Sequence, residues 1–528
     1  MLDTLIINGT VIDGSGTEGY LGTVGIKDGK LIMNPKDTEA KEVIDAKGKI
    51  VCPGFIDPHS HGDALIGTES GRLFKTCQGI TTELAGNCGG SRAPIPESGR
   101  ENIYEALDFA WPREITDQWT TFDKFLSFVE KSDLTANARF YVGHNILRFA
   151  VMGFDNRPST AKELDQMKGL LRESLQSGAA GFSTGLIYLP GCYSEPEEVE
   201  ALASVVAEYG GVYSSHIRNE AENVIESVQE VLDVGKKTGV RLNISHHKVQ
   251  GRDNWGKQNT TLQMVDEANA KGIHTTLDLY PYTRSMNGMK SCMPPWHFSE
   301  GINIVMERLQ DPEYRNLVKK EMMAPESKYD NFYRNAGGWE GVYIAAAPKN
   351  PEIEGCTIAE YAQKIGKDPF DTYFDLQIEN EFLLKGVYST MNMADVCQIV
   401  KSPYCVIGTD GCTPSWQNKG HPRASAAFPQ AIQTFVKDEK IFTLEEMIYK
   451  MTFLTAERLM VKNKGLLKDG FDADVLVLDF DGMKVHSTYT DPNRKTEGID
   501  YVFVGGECVY CDLEFTGKYA GKVIRFGK

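Results

Sequence analysis

Residues 160–188, TAKELDQMKGLLRESLQSGAAGFSTGLIY, contain a helical pattern followed by an apolar run typical of a strand. The helical pattern, from Thr160 to Gly178, ends with glycine, the residue that most often terminates a helix. A second pattern of the same kind runs from Ala221 to Gly239. Helices that alternate with short strands predict a parallel sheet, because parallel strands need a long crossover connection between them.

Eight apolar runs of this kind occur along the middle of the chain: FIDPHSHGD, ITTELAGNCGG, ARFYVGHNILR, AAGFSTGLIY, GVYSSHIRNE, VRLNISHHK, HTTLDLYPY and YCVIGTDG. Eight βα units are the number in a closed (β/α)8 barrel of the TIM type. We therefore predict an α/β fold in which residues 55–463 form a TIM-like barrel. Residues from about 286 to 355 break the alternation and predict an insertion after the seventh strand.

The sequence pattern at both ends of the chain differs from that of the middle. The first fifty residues alternate apolar and polar positions between Asn-Gly and Asp-Gly pairs, which is typical of β-hairpins. The same texture returns in GLLKDGFDADVLVLDF and IDYVFVGGECVYC. We therefore expect residues 1–54 and 464–528 to form one small β-sandwich domain from both termini.

The composition argues against several classes of protein. A net charge of −17 opposes binding to nucleic acid or to an anionic membrane, and no apolar run reaches the roughly 18 residues of a membrane helix. The N-terminus lacks the pattern of a secretory signal, and the eleven cysteines have no regular spacing. We expect a cytoplasmic enzyme with reduced thiols that acts on a small molecule, and no oligomeric state is predicted.

Polar side chains stand at the ends of the predicted strands, where barrel enzymes carry their catalytic groups. The set comprises His59, His61, Cys88, His144, His216, His246, His247, Lys248, Tyr280 and Asp410. A single histidine in such a place is more often structural, and Cys88 alone is more often a small core residue. The combination of imidazoles, a thiol and a carboxylate is the donor set that zinc prefers, and His-x-His on one strand would place both rings on one face. The sequence therefore predicts a metal centre.

The stretch PGFIDPHSHGD resembles the first-strand signature of the amidohydrolase superfamily, in which His-x-His is joined by an aspartate of the last strand. More narrowly, the chain resembles the N-acyl-D-amino-acid deacylases, or D-aminoacylases, from about Phe55 to Asp479. The segments that carry this resemblance are GNCGG, VGHNILR, GAAGFSTGLIYLPG, YSSHIRNEAENV, ISHHKVQGRDNWG, LDLYPY, MPPW, GTDG, GHPRASAAFP and LTAERL. The terminal β-rich segments are also similar.

The resemblance implies a Zn²⁺-dependent hydrolase that cleaves the amide bond of N-acyl-D-amino acids to a carboxylate and a free D-amino acid. It implies that Cys88, His216 and His246 hold one tightly bound zinc ion. It implies that His59, His61 and Asp410 form a second and weaker position, with metal-activated water as the nucleophile. Asp410 is then the general base and acid, because its carboxylate can take a proton from water and pass it to the departing amine.

Neighbouring residues of a strand point to opposite faces, so His246 and His247 cannot both face the centre of a barrel. The resemblance implies that His246 is the ligand, which leaves His247 as a supporting or structural residue. His144, in VGHNILR, either orients a ligand or the bound water, or simply packs in the core.

An N-acyl amino acid carries a carboxylate, which needs fixed cationic or donor partners. Our candidates are Lys248, Tyr280 and Arg423, with Tyr282 as an alternative to Tyr280 because both flank Pro281. Tyr188, in GLIYLPG, is a further candidate for substrate binding. After YPY many relatives have a small Ala-Gly-Ser stretch, whereas this chain has Arg284, which either favours an acidic substrate side chain or points to solvent.

Two other functions compete with this one. A cyclic-amide hydrolase of the hydantoinase or dihydroorotase kind, or a D-aminoacyl dipeptidase, usually bridges its metals with a lysine, and GAAGFSTGL at the fourth strand end has none. A catalytically inactive barrel that serves as a scaffold generally loses metal ligands, whereas all six are present here. The preference for D over L substrates rests on the resemblance alone.

Overall fold

The computed structural model describes residues 1–66, 68–106, 113–411 and 419–527. Each of the eight predicted strands is present, and all their pairings are parallel. In chain order the strands are Phe55–Asp57, Ile80–Ala85, Asn137–Phe140 with Val142–Gly143, Gly181–Gly185, Val212–His216, Arg241–Ile244, Thr275–Leu279 and Cys405–Ile407. They form a three-stranded sheet and a six-stranded sheet, and the third strand contributes to both.

The two parallel sheets are linked at both of their edges. In the third strand only Tyr141 separates the two pairing segments, and its backbone N–H donates to the carbonyl of Ala85 at 2.9 Å. At the other edge Ser60 and Gly411 form an isolated parallel bridge just beyond the first and last strands. All eight strands therefore point their carboxyl ends toward one region.

Helices connect the parallel strands. They are Glu69–Thr76, Arg100–Ala106, Arg113–Thr116, Phe122–Val129, His144–Met152, Ala161–Ser177, Pro196–Glu208, Val224–Thr238, Gln258–Ala270, Met393–Lys401, Arg423–Ala431, Leu444–Met451 and Phe453–Arg458, with a π-helix at Ile432–Asp438. Apolar side chains of these helices and of the strands share one large buried core.

The two helices predicted from their patterns are present. Ala161–Ser177 begins at a capping box between Thr160 and Glu163 and ends at Gly178 with φ of 113°. Val224–Thr238 ends as expected at Gly239 but begins three residues later than predicted. The reason is Asn219, whose side-chain oxygen accepts the N–H groups of residues 221 and 223 and holds them in a turn.

The segment between the seventh and eighth parallel strands has a core of its own. Its strands Ser285–Gly288, Val342–Ala346 and Lys385–Tyr388 form an antiparallel sheet. Its helices are Ile302–Arg308, Pro312–Met322, Phe332–Asn335, Ile358–Ile365 and Pro369–Glu379. The hydrophobic cluster of this segment extends from Met289 to Tyr388, well beyond residue 355.

Strands from both ends of the chain form one nine-stranded sheet. Its members are Leu2–Val11, Tyr20–Lys27, Lys30–Met33, Ala40–Asp45, Ile50–Pro53, Val475–Leu478, Ile499–Val504, Glu507–Cys511 and Glu514–Phe515. The two ends meet where Ile50–Pro53 pairs antiparallel with Val475–Leu478. A separate hydrophobic cluster that includes Val24, Val51 and Phe503 stabilises this sheet.

No helix among the described residues is long and apolar enough to cross a membrane. The ten cysteines that the structure describes are all free, including Cys508 and Cys511.

Gly86, which directly follows the second parallel strand, has a backbone that only glycine fits well. Its φ is +79°, and a Cβ there would lie 2.5 Å from the carbonyl oxygen of Tyr141. Gly239 has a similar φ of +72° but nothing within 4 Å of its Cβ position. We expect Gly239→Ala to cost about 1–2 kcal/mol of unfolding free energy from backbone strain alone, and Gly86→Ala about 1–3 kcal/mol more from the clash. Denaturant unfolding measures both, and equal losses would contradict the clash.

Candidate metal centre

The polar residues at the carboxyl ends of the parallel strands meet in one buried cluster. The Cys88 sulfur lies 3.3 Å from His59 Nε2 and 3.2 Å from His246 Nε2. The ligand atoms form two groups, each with all its atoms within 4.8 Å: His59, His61, Cys88 and Asp410 in one, and Cys88, His216 and His246 in the other. Cys88 belongs to both groups. The structure thus brings together all six residues proposed as metal ligands.

The cluster fits a metal ion better than a network of hydrogen bonds. Both ring nitrogens of His216 are buried and have no hydrogen-bond partner among the described residues. A buried imidazole without a partner is costly, and a cation bound at its free nitrogen would remove that cost. Imidazole nitrogens, a thiolate and a carboxylate are also the donors that zinc prefers.

The electrostatics of the cluster keep its acidic groups ionised. Burial raises the pKa of the Cys88 thiol, but the positive charge of His59 and His246 outweighs it and holds this pKa well below the ordinary value. Burial also raises the pKa of Asp410, but the positive charge of Arg423 and His246 outweighs this effect and holds the pKa of Asp410 well below its ordinary value. The site therefore offers a thiolate and a carboxylate, the forms in which these groups bind metals.

Three residues of the cluster have a left-handed backbone that non-glycine residues rarely adopt. The φ angles are 52° at Cys88, 36° at His246 and 47° at Asp410. Such conformations cost of order 1–3 kcal/mol and persist where the surrounding structure enforces them. They turn each side chain inward just after its strand has ended.

The backbone conformation shows that strand alternation does not explain the orientations of two histidine pairs, His59 with His61 and His246 with His247. The first strand ends at Asp57, so His59 and His61 lie beyond it rather than on it. Their rings are still neighbours, with centroids 5.6 Å apart. Similarly, the sixth strand ends at Ile244, and the positive φ of His246, not alternation along a strand, separates the His246 and His247 side chains.

A buried carboxylate, Asp57, joins the first and last parallel strands beneath the cluster. Asp57 Oδ1 accepts from the backbone N–H groups of His59 at 3.2 Å and Thr409 at 3.0 Å. Asp57 Oδ2 accepts from the Thr409 hydroxyl at 2.6 Å and from Lys75 Nζ at 2.8 Å. The Asp410 N–H in turn donates to the carbonyl of His59 at 2.7 Å. This network fixes the backbone on which His59 and Asp410 stand.

Two further carboxylates that the sequence analysis did not single out support the histidines. Asp278 Oδ1 lies 3.0 Å from His59 Nδ1 and accepts the His246 N–H at 2.7 Å. Glu220 Oε1 lies 3.1 Å from His246 Nδ1. Asp278 lies within the seventh parallel strand, and Glu220 lies in the loop after the fifth. The acidic Asp278 within the apolar run TTLDLY was a signal in the sequence. Carboxylates that contact ligand histidines set ring orientation and basicity.

The three candidates for binding a substrate carboxylate lie together, but two are already paired. Lys248 Nζ donates to Glu220 Oε1 at 2.6 Å, and Arg423 Nη1 donates to Asp410 Oδ2 at 2.6 Å. Both cations lie over the ring of Tyr280, Lys248 at 5.6 Å and Arg423 at 4.8 Å from its centroid. The Tyr280 hydroxyl is buried and has no hydrogen-bond partner among the described residues.

The remaining tyrosine and arginine candidates differ in their surroundings. The Tyr188 ring packs edge-on against His216 at 5.0 Å, next to the cluster. Tyr282 packs on His421 at 5.0 Å instead. The Arg284 guanidinium lies between the rings of Tyr343 and Tyr489, at 4.2 Å and 4.3 Å. Arg284 therefore does not simply extend into solvent.

The side chains of His144 and His247 bond to residues outside the cluster. His144 Nε2 lies 2.7 Å from Glu198 Oε1, which also accepts from Arg148, so the structure favours a packing role for His144. His247 Nε2 lies 2.8 Å from the Thr261 hydroxyl. Burial lowers the pKa of His247 to about 4, so its ring is neutral.

The sequence is similar to known proteins. The model of the Amidohydrolase family matches residues 42–510. The chain is 30% identical to a D-aminoacylase of Alcaligenes xylosoxydans xylosoxydans over 99% of this chain and 97% of that protein. It is 32% identical to an N-acyl-D-glutamate deacylase of the same organism, over 96% of this chain and 94% of that protein. An N-acyl-D-aspartate deacylase of the same organism is 30% identical, over 98% and 93%.

The structure of the chain is also similar to solved structures, including those of two deacylases. The crystal structure of a D-aminoacylase is similar with a TM-score of 0.82 and 30% identity, over 99% of each chain. An N-acyl-D-glutamate deacylase from Bordetella bronchiseptica, in complex with zinc and a phosphonate that mimics the tetrahedral intermediate, has the same score and identity over 99% of each chain. An L-hydantoinase from Arthrobacter aurescens, with a TM-score of 0.57 and 16% identity over 99% of this chain and all of that one, shares the fold alone.

The shared position of Cys88 makes it the residue on which metal binding depends most. We expect Cys88→Ser to weaken zinc binding by at least about 100-fold, because the thiolate belongs to both groups of ligand atoms. His247→Gln is the matched control, since His247 is buried beside His246 but bonds to Thr261, and its zinc content should equal that of the unmodified protein. Elemental analysis after dialysis measures both, and full zinc retention by Cys88→Ser would exclude the thiolate as a ligand.

Proposed function

The chain belongs to the amidohydrolase family, and from this premise we propose that it is a metal-dependent deacylase that hydrolyses N-acyl-D-amino acids to a carboxylate and a free D-amino acid. The observation that carries the proposal is the buried cluster in which Cys88 joins two groups of ligand atoms. Its support is the similarity, over nearly the whole chain, to three deacylases of D-amino-acid derivatives.

Zinc is the metal we propose, and the solved deacylase that contains zinc supports this choice. Cys88, His216 and His246 would hold a tightly bound ion, and His59, His61 and Asp410 would form a weaker second position. A bound zinc ion supplies a Lewis acid for the amide carbonyl and lowers the pKa of bound water from about 15.7 to about 7.

Asp410 is placed to move the proton that the reaction requires. Its Oδ1 atom lies 3.1 Å from His61 Nε2, while Arg423 holds Oδ2 and favours the ionised carboxylate. An ionised Asp410 can accept a proton from the attacking water and donate it to the leaving nitrogen as the amide C–N bond breaks. The products are then a carboxylic acid and an amine.

The cations around Tyr280 form the proposed site for the substrate carboxylate. Lys248 and Arg423 approach the same tyrosine ring, and the Tyr280 hydroxyl, kept neutral because burial raises its pKa, is free to donate. A carboxylate bound here would share Lys248 with Glu220 and Arg423 with Asp410. Tyr188 would border the site beside His216, and Arg284 would lie near its outer part.

For the architecture we propose a closed (β/α)8 barrel over residues 55–463. The Ser60–Gly411 bridge and the continuity through Tyr141 support closure, and the similarity to the solved structure of a D-aminoacylase over 99% of each chain supports an amidohydrolase fold. Residues 1–54 and 464–528 would form the small β-sandwich domain, in line with their shared sheet. The extent of the separate hydrophobic cluster supports an insertion that ends near residue 388 instead of 355.

The competing functions have less support. The hydantoinase similarity is confined to fold, and the described fourth strand end contains no lysine. An inactive scaffold would not need six buried or half-buried ligand residues in contact. A cytoplasmic location remains an expectation, in line with ten free cysteines.

A substrate panel tests the proposal directly. We expect hydrolysis of N-acetyl-D-methionine, N-acetyl-D-leucine or N-acetyl-D-glutamate, with no turnover of the L forms or of a hydantoin. Asp410→Asn should lower kcat by about 10²- to 10⁴-fold because it cannot accept the proton. Asp253→Asn, at an exposed aspartate in the loop after the sixth strand, should leave the rate unchanged. Hydantoin cleavage without deacylation would reject the proposed reaction.

A further inference from the structure

One buried carboxylate of the insertion between the seventh and eighth strands, Asp330, is hydrogen-bonded to Glu220, a residue that supports the metal cluster. Asp330 lies between the helices Pro312–Met322 and Phe332–Asn335 and is only 4% exposed. Its Oδ2 atom accepts the backbone N–H of Glu220 at 2.8 Å. Its Oδ1 atom accepts from Asn335 Nδ2 at 2.6 Å. Asp330 therefore connects the insertion to the loop that follows the fifth parallel strand.

Glu220 links Asp330 to the ligand candidate His246 and to Lys248, the candidate for substrate binding. Its carboxylate accepts from Lys248 Nζ and from Gln250 Nε2, each at 2.6 Å, and lies 3.1 Å from His246 Nδ1. Its backbone carbonyl accepts the Gln250 N–H at 2.6 Å. With Asp330 on its N–H, the main chain of Glu220 is held on both sides, so the position of its carboxylate is fixed.

Asp330 has no simpler structural task that would explain its burial. The short helix Phe332–Asn335 is capped by Asn331, not by Asp330. No cation lies within salt-bridge distance of the Asp330 carboxylate among the described residues. Burial raises its pKa to about 7, chiefly by desolvation and then by the charge of Glu220. A carboxyl group that is costly to bury is retained where its hydrogen bonds serve a purpose.

We propose that Asp330 is a positioning residue by which the insertion holds Glu220 and, through Glu220, orients the ligand His246 and the substrate-binding Lys248. The proposal rests on the metal centre and carboxylate site described above. It makes the insertion part of the metal site's support, although no residue of the insertion belongs to the ligand cluster.

Metal affinity tests the proposal in the full-length protein without any substrate. Competition with a chelator gives the zinc dissociation constant of the unmodified protein, Asp330→Asn, Asp330→Ala and Asp368→Ala. Asp368 is the matched control, because it also lies in the insertion and its carboxylate also accepts backbone N–H groups, those of Phe370 and Asp371, far along the chain from Glu220.

Asp330→Ala should weaken zinc binding by about 10-fold, the lower part of the range for residues that support ligand histidines. Asp330→Asn keeps an oxygen for the Glu220 N–H and should recover most of the affinity. Asp368→Ala should lower the melting temperature without changing zinc affinity. At saturating zinc, Asp330→Ala should raise KM for an N-acetyl-D-amino acid more than it lowers kcat, because Lys248 is displaced.

A double-variant cycle distinguishes transmission through Glu220 from general loosening. On a Glu220→Ala background, Asp330→Ala should have no further effect on zinc affinity. If Asp330→Ala does not fold, Asn335→Ala, which removes the other hydrogen bond of Asp330, replaces it with a smaller expected loss. Unchanged zinc affinity in a folded variant, or losses that add fully in the cycle, would overturn the inference. Absence of zinc binding by the unmodified protein would instead reject the metal centre.

Discussion

The contact between Asp57 and Thr409 is the constraint on which the metal cluster depends. The first and last parallel strands, Phe55–Asp57 and Cys405–Ile407, lie far apart in the chain, and the loop after each of them carries ligand candidates. The buried Asp57 carboxylate takes up N–H groups from both sides, and Lys75 compensates its charge. Without this junction His59 and Asp410 would belong to two separate loops. With this junction, His59 Nε2 lies 3.4 Å from Asp410 Oδ1.

Much of the fold and of the cluster could be predicted from the sequence, because both depend on local patterns. Apolar runs marked all eight strands, and the donor types of His59, Cys88 and Asp410 marked the centre. The supporting carboxylates were not predicted, since the roles of Asp278 and Glu220 depend on contacts between neighbouring strands. For a related reason the sequence did not indicate that the hydrophobic cluster of the predicted insertion continues beyond residue 355. Its helices after residue 355 resemble the connecting helices of the barrel in pattern, and only their packing on Met289 and Tyr388 distinguishes them.

Charge in the site is balanced within the protein before any ligand enters. Arg423 faces Asp410, and Lys248 faces Glu220. A metal cation bound to the thiolate and carboxylate would weaken the hold of Asp410 on Arg423, which would leave the guanidinium more available to a substrate anion. The metal cation and the substrate anion would thus favour each other's binding, although their sites use different residues.

The pairing of Ile50–Pro53 with Val475–Leu478 has a consequence for synthesis of the protein. The N-terminal strands are synthesised first, yet one edge of Ile50–Pro53 has no partner until all eight parallel strands have been made, because Val475–Leu478 follows them in the chain. An open apolar edge invites pairing with other nascent chains. During translation the edge of these strands therefore remains unpaired for a long time. We expect chaperones that bind extended segments to be needed most by the N-terminal strands.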